Sequence, residues 1–295
     1  TAVVVEMGMN HFGEISLLTN IAKPTGCVIT NIGTSHIGNL GSRENILKAK
    51  LEILEGLDKN GFVLINNDND LLHEWAKKEK RYKIYTYGLE NNSTYMAKKI
   101  TILENSSEFE INGIKGNVPI GGIHFVYNSV CAFAIGDILN VEKEKIIKGI
   151  SEFKLTAKRM DIEIIKNKIK VINDSYNASY DSMKAALEVV NNTSAQRKIA
   201  ILGDMLELGE YAKELHEKVG EEVVKNKIDI LITIGDNAKN IANKAKELKM
   251  ENVYMFDGIE EAIEYIKKTI KCGDLILLKA SNSMNFSKIL NEIKA

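Results

Sequence analysis

Acidic and imidazole side chains follow two β-branched runs near the start of the sequence. Glu6 follows the run at residues 2–5, and His36 lies beyond a second run at 27–31, after a loop of small residues. In a parallel sheet the carboxyl ends of the strands share one edge, and ligands bind there. A carboxylate at that edge is suited to Mg²⁺, and an imidazole is a common metal ligand. Taken singly, the alternatives are a solvated strand-end glutamate and a hydrogen-bonded loop histidine.

Amide side chains at two further positions could contact a nucleotide. Asn66 ends a third β-branched run and is followed by Asn67 and Asp68. These residues either serve an adenine or a ribose or form an Asx turn, and we take Asn66 as a candidate nucleotide-binding residue. Asn128 lies on a predicted helix that starts near residue 123, from which its amide could reach a base.

A guanidinium and a carboxylate occur near the middle of the chain, at Arg159 and Asp174. Arginine is suited to phosphate oxygens, and a carboxylate can bind a ribose hydroxyl. A structural ion pair between the two residues is the alternative. The phosphate-binding pattern GxxxxGK[ST] does not occur in the sequence, so a nucleotide site of that kind would lack its loop here.

Composition excludes several classes of protein. The sequence has 295 residues, 44% of them hydrophobic and 27% charged, which is typical of a globular protein with room for two α/β domains. A net charge of -1 disfavours general nucleic-acid binding. The three cysteines lie far apart without a CxxC motif, which favours a reducing compartment. The apolar runs are too short to span a membrane, so we expect a cytoplasmic protein without membrane insertion.

The elements that must position these side chains alternate between strands and helices, which predicts an α/β fold with a mostly parallel sheet. The predicted strands of the first half are 2–6, 27–31, 62–66 and 83–87, and the predicted helices are 13–21, 42–57 and 70–78. Lys50 lies on the second of these helices, where a solvated lysine is the ordinary interpretation. The stretch 94–118 contains Asn112-Gly113 and predicts antiparallel strands at one edge of the sheet, followed by helices at 123–139 and 143–149.

A second alternation follows a predicted domain boundary near residue 156. A hairpin is predicted around Asn167, with arms at 162–165 and 169–172. Further strands are predicted at 199–202, 230–234, 253–256 and 275–278, with helices at 182–190, 213–224, 238–248, 259–270 and 286–293. Two strands end in Gly203-Asp204 and Gly235-Asp236, a pattern typical of the ligand-binding edge of a doubly wound sheet.

Several motifs, taken in their order and spacing, resemble the Mur ligases. In the first half these are Glu6-Met7-Gly8 with Gly13-Glu14-Ile15, Ile29-Thr30-Asn31-Ile32-Gly33 with Ser35-His36, and Gly41-Ser42-Arg43-Glu44-Asn45-Ile46 with Ala49-Lys50-Leu51-Glu52-Ile53. In the second half they are Tyr176-Asn177-Ala178, Ser182-Met183 and Leu202-Gly203-Asp204-Met205-Leu206-Glu207-Leu208-Gly209 with His216. The second set resembles the branch of the family that uses D-Ala-D-Ala, and the resemblance covers essentially the whole chain.

The resemblance implies the central and C-terminal parts of a three-domain enzyme. Residues 1–156 would be a P-loop-type ATPase domain without its N-terminal part and P-loop, and 157–295 a Rossmann-like ligase domain. The implied enzyme uses ATP and Mg²⁺ to add D-Ala-D-Ala to UDP-MurNAc-tripeptide through an acyl phosphate, a cytoplasmic step of peptidoglycan precursor synthesis. The resemblance implies no obligate protein partner. A strand at residues 2–5 also favours a C-terminal piece of a longer protein, and without the P-loop we expect the piece itself to be inactive.

Roles for individual residues also follow from the resemblance. Glu6 and His36 match Mg²⁺ ligands, and Lys50 matches a carbamylated lysine whose oxygens could hold a second Mg²⁺; all three are candidate catalytic residues. The other matched residues are Asn128 for the base, Arg159 and Asp174 for ATP, and Tyr176, Asn177 and Asp204 for the D-Ala-D-Ala side.

The sequence departs from the family pattern in three places. His124-Phe125 stands where the family has His-Asn, Ser179-Tyr180 replaces Asn-Pro, and Ala280-Ser281-Asn282 replaces Gly-Ser-Arg after Lys279. The change at Phe125 affects one expected base contact, and at Asn282 any guanidinium contact is absent. The alternatives are another amide ligase of the family, such as an amino-acid-adding muramyl ligase or a folylpolyglutamate synthetase, and a non-catalytic nucleotide-binding module.

Overall fold

The computed structural model describes residues 2–155 and 158–294. The chain divides into two compact units, Thr1–Phe153 and Lys154–Ala295. Each unit contains its own sheet. The predicted boundary at residue 156 lies outside the described residues.

The sheet of the first unit has the strand order β1-β2-β3-β4-β5-β6. These strands span Gly26–Ile29, Phe62–Asn66, Lys83–Gly88, Tyr95–Ile102, Ser107–Ile111 and Ile114–Val118. Strands β1 to β4 run parallel, and β5 and β6 continue the sheet antiparallel. The parallel strands β1 to β3 therefore end at one edge, and the antiparallel strands extend the sheet as predicted.

Helices α1 to α6 of the first unit span Glu14–Ala22, Ile37–Leu40, Arg43–Leu51, Asp70–Lys78, Ile123–Ile138 and Lys143–Ser151. The hydroxyl of Ser42 caps α3 by accepting a hydrogen bond from the Asn45 amide at 3.1 Å. Helix α3 ends earlier than predicted and continues as a 3₁₀ turn, Glu52–Glu55. The Ile53 carbonyl accepts from the Thr19 hydroxyl at 2.7 Å, while the Leu57 amide bonds the Leu54 carbonyl at 3.3 Å. This bond joins residues three positions apart, as in a 3₁₀ helix, and the 3₁₀ turn takes the place of the last turn of the predicted α-helix.

The predicted strand at residues 2–6 is wrong. These residues are exposed and have no regular secondary structure, and the side chain of Val3 is 84% exposed. An extended apolar segment becomes a strand only where a neighbour completes its backbone hydrogen bonds. Among the described residues, no strand pairs with this segment, and β1 pairs only with β2. Glu6 consequently lies on an irregular segment and not at the end of a strand.

The second unit has the strand order β11-β10-β9-β12-β8-β7. Strands β7 to β12 span Asp161–Ile165, Ile169–Asn173, Arg197–Gly203, Ile230–Ile234, Val253–Phe256 and Asp274–Lys279. The pairs from β8 to β11 are parallel, and β7 joins β8 antiparallel, as the predicted hairpin requires. Strand β12, the last in sequence, lies between β8 and β9.

Helices α7 to α11 span Tyr180–Asn192, Ala212–Lys225, Lys239–Glu247, Ile259–Thr269 and Ser287–Lys294. Alternate residues of the central strands pack with α10 and α11 into one buried cluster; Ile199, Ile201, Ile276 and Leu278 belong to it. The residues between them, such as Ala200 and Leu277, are equally buried, so both faces of the sheet are covered, as a doubly wound fold requires. Within the described residues, no helix is long and apolar enough to cross a membrane.

Candidate functional site

Polar residues of the first unit gather at the carboxyl ends of β1, β2 and β3. Asn69, which caps α4, donates from its amide to the Asn31 side chain at 2.9 Å, just beyond β1. The Asn67 amide, just beyond β2, donates to the Asn92 carbonyl at 2.9 Å, in the loop after β3. These bonds join three strand ends into one polar edge, which is where a parallel sheet binds ligands.

Lys50 reaches this edge from α3. Its ammonium donates to the Asn31 carbonyl at 2.6 Å, so the amine lies at the end of β1. An ammonium has hydrogen-bond donors and no lone pair, and it cannot ligate a cation in that form. A metal role for Lys50 therefore needs the carbamate that the family resemblance implies.

His36 lies in the loop after β1 and precedes α2. Its backbone is left-handed, with φ +62°, and its side chain is half-buried. Glu6 is exposed, and its carboxylate is of the oxygen type that Mg²⁺ prefers, whereas an imidazole nitrogen is a softer ligand. In residues 2–155 and 158–294, no three His, Cys, Asp or Glu side chains are grouped to hold a metal. Lysine is not among these ligand types, so a site formed by Glu6, His36 and Lys50 stays a prediction.

Asn66 forms an Asx turn, one of the two roles that the sequence allows for it. Its side-chain oxygen accepts a hydrogen bond from the Asp68 amide at 3.0 Å. The Asp68 carboxylate in turn accepts from the backbone amides of Leu89, Glu90 and Asn91 at 2.6–3.0 Å. Asp68 thereby fixes the loop after β3, and the only sequence signal for this role is its place after a strand. The nucleotide role of Asn66 stays a prediction.

Helix α5 is tied to the same loop through Tyr127. Its hydroxyl donates to Asp68 at 2.9 Å, and burial together with this bond raises the pKa of Tyr127 above its usual value. Asn128 follows on α5 with an exposed side chain. His124 lies against Phe125, with ring centroids 4.2 Å apart. The exposure of Asn128 is compatible with a base contact, which stays a prediction.

Asp174 follows β8 in the second unit and pairs with Lys279, the last residue of β12. The Lys279 side chain is 2% exposed, and this burial lowers its pKa, against the opposing effect of Asp174. The other Asp174 oxygen accepts from the Met160 amide at 3.1 Å. The structural partner of Asp174 is therefore this lysine and not Arg159. The sequence signal that could have identified Lys279 is a lysine ending the fully apolar run 275–278.

Arg159, Tyr176 and Asn177 form the exposed part of this region. The Arg159 guanidinium lies 4.2 Å from the centre of the Tyr176 ring, a cation–π contact. The Tyr176 amide donates to the Lys158 carbonyl at 3.1 Å, which joins the two loops. The side chains of Tyr176 and Asn177 are both exposed, as the side chains of substrate-binding residues must be.

Asp204 is buried and holds the start of α9. Its carboxylate accepts from the Ala238 amide at 2.7 Å. Gly235, with φ +113°, leaves room for it, because a Cβ there would lie 2.6 Å from an Asp204 oxygen. These contacts give Asp204 a structural role, and its predicted contact with D-Ala-D-Ala stays a prediction.

His216 supports the loop that follows β9. Its Nε2 accepts from the Met205 amide at 3.0 Å, so Nδ1 carries the proton that is donated to the Ala212 carbonyl at 2.6 Å. Burial lowers the pKa of His216 and keeps the ring neutral. The loop 203–209 is therefore held from inside by an uncharged histidine.

Comparison with known proteins gives matches along both units. Residues 1–136 match the family model of the Mur ligase middle domain, and residues 158–282 match the Mur ligase, glutamate ligase domain. The UDP-N-acetylmuramoyl-tripeptide–D-alanyl-D-alanine ligase of Bacillus subtilis is 36% identical over 294 residues, 98% of this chain and 64% of that protein. The Synechocystis ligase of the same name is 32% identical over 99% of this chain and 63% of its own length.

Solved structures agree with these matches. A crystal structure of MurF from Acinetobacter baumannii superposes with a TM-score of 0.89 at 26% identity, covering 97% of this chain and 63% of that one. MurF from Thermotoga maritima in complex with ADP gives a TM-score of 0.84 at 24% identity, covering 98% and 66%, and shows the shared fold. The chain spans less than two thirds of the length of the two curated relatives.

Proposed function

This chain belongs to the Mur ligase family, and we propose that its protein is an ATP-dependent ligase that adds D-Ala-D-Ala to UDP-MurNAc-tripeptide. The observation that carries the proposal is 36% identity, over 98% of the chain, to a ligase named for this reaction. The proposal places the protein in the cytoplasm, at a step of peptidoglycan precursor synthesis. It takes residues 1–156 as the central ATPase domain and 157–295 as the C-terminal ligase domain.

The reaction has to make a carboxylate reactive toward an amine. An oxygen of the tripeptide carboxylate attacks the γ-phosphorus of ATP, and ADP leaves. The amine of D-Ala-D-Ala then attacks the acyl carbon and loses a proton, and phosphate leaves with the carboxylate oxygen. The protein's task in such a reaction is mostly to position reactants and to neutralise charge.

The first unit would hold the phosphates and the cation. Glu6, His36 and a carbamylated Lys50 are the proposed Mg²⁺ residues, and the metal would neutralise charge on the transferring phosphoryl group. The amine of Lys50 already lies at the edge where β1 ends. Asn66 and Asn128 are the proposed contacts to the nucleotide from this unit.

The second unit would hold the amine substrate and part of ATP. Exposed Arg159 offers a guanidinium to phosphate oxygens. Exposed Tyr176 and Asn177 offer a phenol and an amide to the D-Ala-D-Ala dipeptide. Asp174 is the proposed ATP contact from this unit, and Asp204 is a proposed contact on the D-Ala-D-Ala side; each carboxylate also accepts a backbone amide.

The test is an amine-substrate comparison with the protein produced from its complete gene. Phosphate release from ATP in the presence of UDP-MurNAc-tripeptide should depend on D-Ala-D-Ala and not on single amino acids. Release that requires a free amino acid instead would contradict the proposal in favour of a sister ligase. The 295-residue chain alone should give no turnover, because it lacks the GxxxxGK[ST] loop that holds phosphates.

A further inference from the structure

Lys279 is a buried ammonium whose hydrogen bonds all go to one short loop. Besides the Asp174 carboxylate, its Nζ donates to the Asn177 carbonyl at 3.1 Å and lies 3.4 Å from the Asp174 carbonyl. A lysine has three donor protons, and the acceptors around it all belong to residues 174–177. The strand β12 thus fixes, through one side chain, the loop that follows β8.

The same loop is hydrogen-bonded to a second segment, residues 158–160, through Asp174 and Tyr176. The carboxylate accepts from the Met160 amide, next to Arg159, and the Tyr176 amide bonds the Lys158 carbonyl. Residues 158–160 and 174–177 are therefore joined by hydrogen bonds into one cluster, with Lys279 beneath it. Exposed Arg159 and Tyr176 lie on its outer side, stacked on each other.

We propose that Lys279 is a positioning residue, which holds residues 174–177 so that Tyr176 and Asn177 meet the D-Ala-D-Ala dipeptide. The proposal rests on the proposed function. Amide formation needs the attacking amine to be held close to the acyl carbon, and a small displacement of the residues that hold it lowers the rate strongly. A buried ammonium must keep its acceptors because an unpaired charge in the interior is costly, so its presence restricts the loop to one conformation.

The alternative is that Lys279 only stabilises the fold. A second ion pair in the same sheet serves as the matched control that separates the two roles. Arg197, at the start of β9, pairs with Asp274, at the start of β12, at 2.7 Å; Asp274 is 1% exposed. This second pair, in which the Arg197 side chain is 29% exposed, involves the same strand at its opposite end, away from residues 174–177. Loss of either pair should lower stability, but only loss of Lys279 should change substrate use.

The experiment compares Lys279→Met, Lys279→Gln and Arg197→Met in the protein from the complete gene. KM for D-Ala-D-Ala, KM for ATP and kcat are measured below the thermal midpoint of each variant. For Lys279→Met we expect KM for D-Ala-D-Ala to rise by about 10-fold or more, with a smaller rise for Lys279→Gln, which keeps a donor. Arg197→Met should lower the thermal midpoint and leave both KM values within about 2-fold.

The outcomes separate this inference from the proposed function. Wild-type protein that fails to ligate D-Ala-D-Ala would refute the function itself. Active wild type, together with an unchanged KM in the Lys279 variants, would refute only the positioning role. Equal effects of Lys279→Met and Arg197→Met on KM would also refute it, as would misfolding of both Lys279 variants while Arg197→Met folds.

Discussion

Lys50 decides whether the candidate site can work as proposed. Its ammonium donates to the Asn31 carbonyl, whereas the proposed role needs a carbamate formed from the amine and CO₂ with loss of a proton. We expect the activity of the complete protein to fall about 10-fold in CO₂-free buffer and to return with bicarbonate. Lys50→Arg should lose about 100-fold in kcat and show no bicarbonate response.

Lys48 provides the control for that prediction. It lies on the same helix and is exposed, so Lys48→Arg should keep both the activity and the response to bicarbonate. Full activity of Lys50→Arg would contradict the carbamate role.

His216 should make the folded state sensitive to acid. Because burial lowers its pKa, the folded ring stays neutral while the unfolded ring takes up a proton near its ordinary pKa of about 6.5. The unfolding free energy should therefore fall as the pH drops below about 6.5. Urea denaturation at about pH 8 and pH 5.5 measures this fall, which should be smaller in His216→Gln, whose amide can accept and donate without titrating. An equal fall in both proteins would contradict the assignment.

The sequence could identify side chains at strand ends but not their partners. Asn66 was predicted to end a strand and is the last residue of β2, and Asp174, just beyond the predicted hairpin arm 169–172, follows β8. The pairing of Asp174 with Lys279 joins residues 105 positions apart. That contact depends on β12 inserting beside β8, which local patterns do not encode. The strand order that creates it is a property of the whole sheet.

Helix α7 begins with a capping box, whereas the family pattern has a proline at this helix start. Here Ser179 accepts from the Ser182 amide and the Ser182 hydroxyl bonds back. Ser179→Ala should lower the unfolding free energy by about 1 kcal/mol in urea denaturation. Ser194 is exposed, and Ser194→Ala is the control, with little expected change. Equal stability of Ser179→Ala and wild type would contradict the capping role.

Strand β10 carries a polar group without a partner. The Thr233 hydroxyl is the one buried side-chain polar atom among the described residues that makes no hydrogen bond. Thr233→Val should raise the unfolding free energy by about 1 kcal/mol, since it removes an unsatisfied group and keeps the β-branched shape. The buried Thr193 hydroxyl donates to the Val189 carbonyl at 2.9 Å, so Thr193→Val should destabilise. A loss of stability in Thr233→Val would refute this account.

Element types were largely predictable, and the errors have physical causes. Strands 62–66, 230–234 and 253–256 occur as predicted because they are short runs rich in β-branched and aromatic residues. Residues 2–6 have the same composition but no pairing strand among the described residues. The end of α3 depends on Thr19, a side chain of another helix. Composition fixes the preference of a segment, and its neighbours decide whether that preference is realised.

At the level of the whole chain, two units with separate sheets match the two domains of one family. The first offers a polar sheet edge with Lys50, and the second offers an exposed surface around Tyr176 supported by Lys279. A ligase needs both functions, because activation of the carboxylate and delivery of the amine are separate steps. In the proposed reaction the carboxylate is therefore phosphorylated before the amide bond forms.

Oxygen transfer from the tripeptide to phosphate tests that claim directly. The complete protein is given UDP-MurNAc-tripeptide with ¹⁸O in its terminal carboxylate, together with ATP and D-Ala-D-Ala. Mass spectrometry of the released phosphate should find a single ¹⁸O atom per molecule, because the attacking carboxylate oxygen leaves with the phosphate. Phosphate without ¹⁸O, released alongside ligated product, would contradict the account.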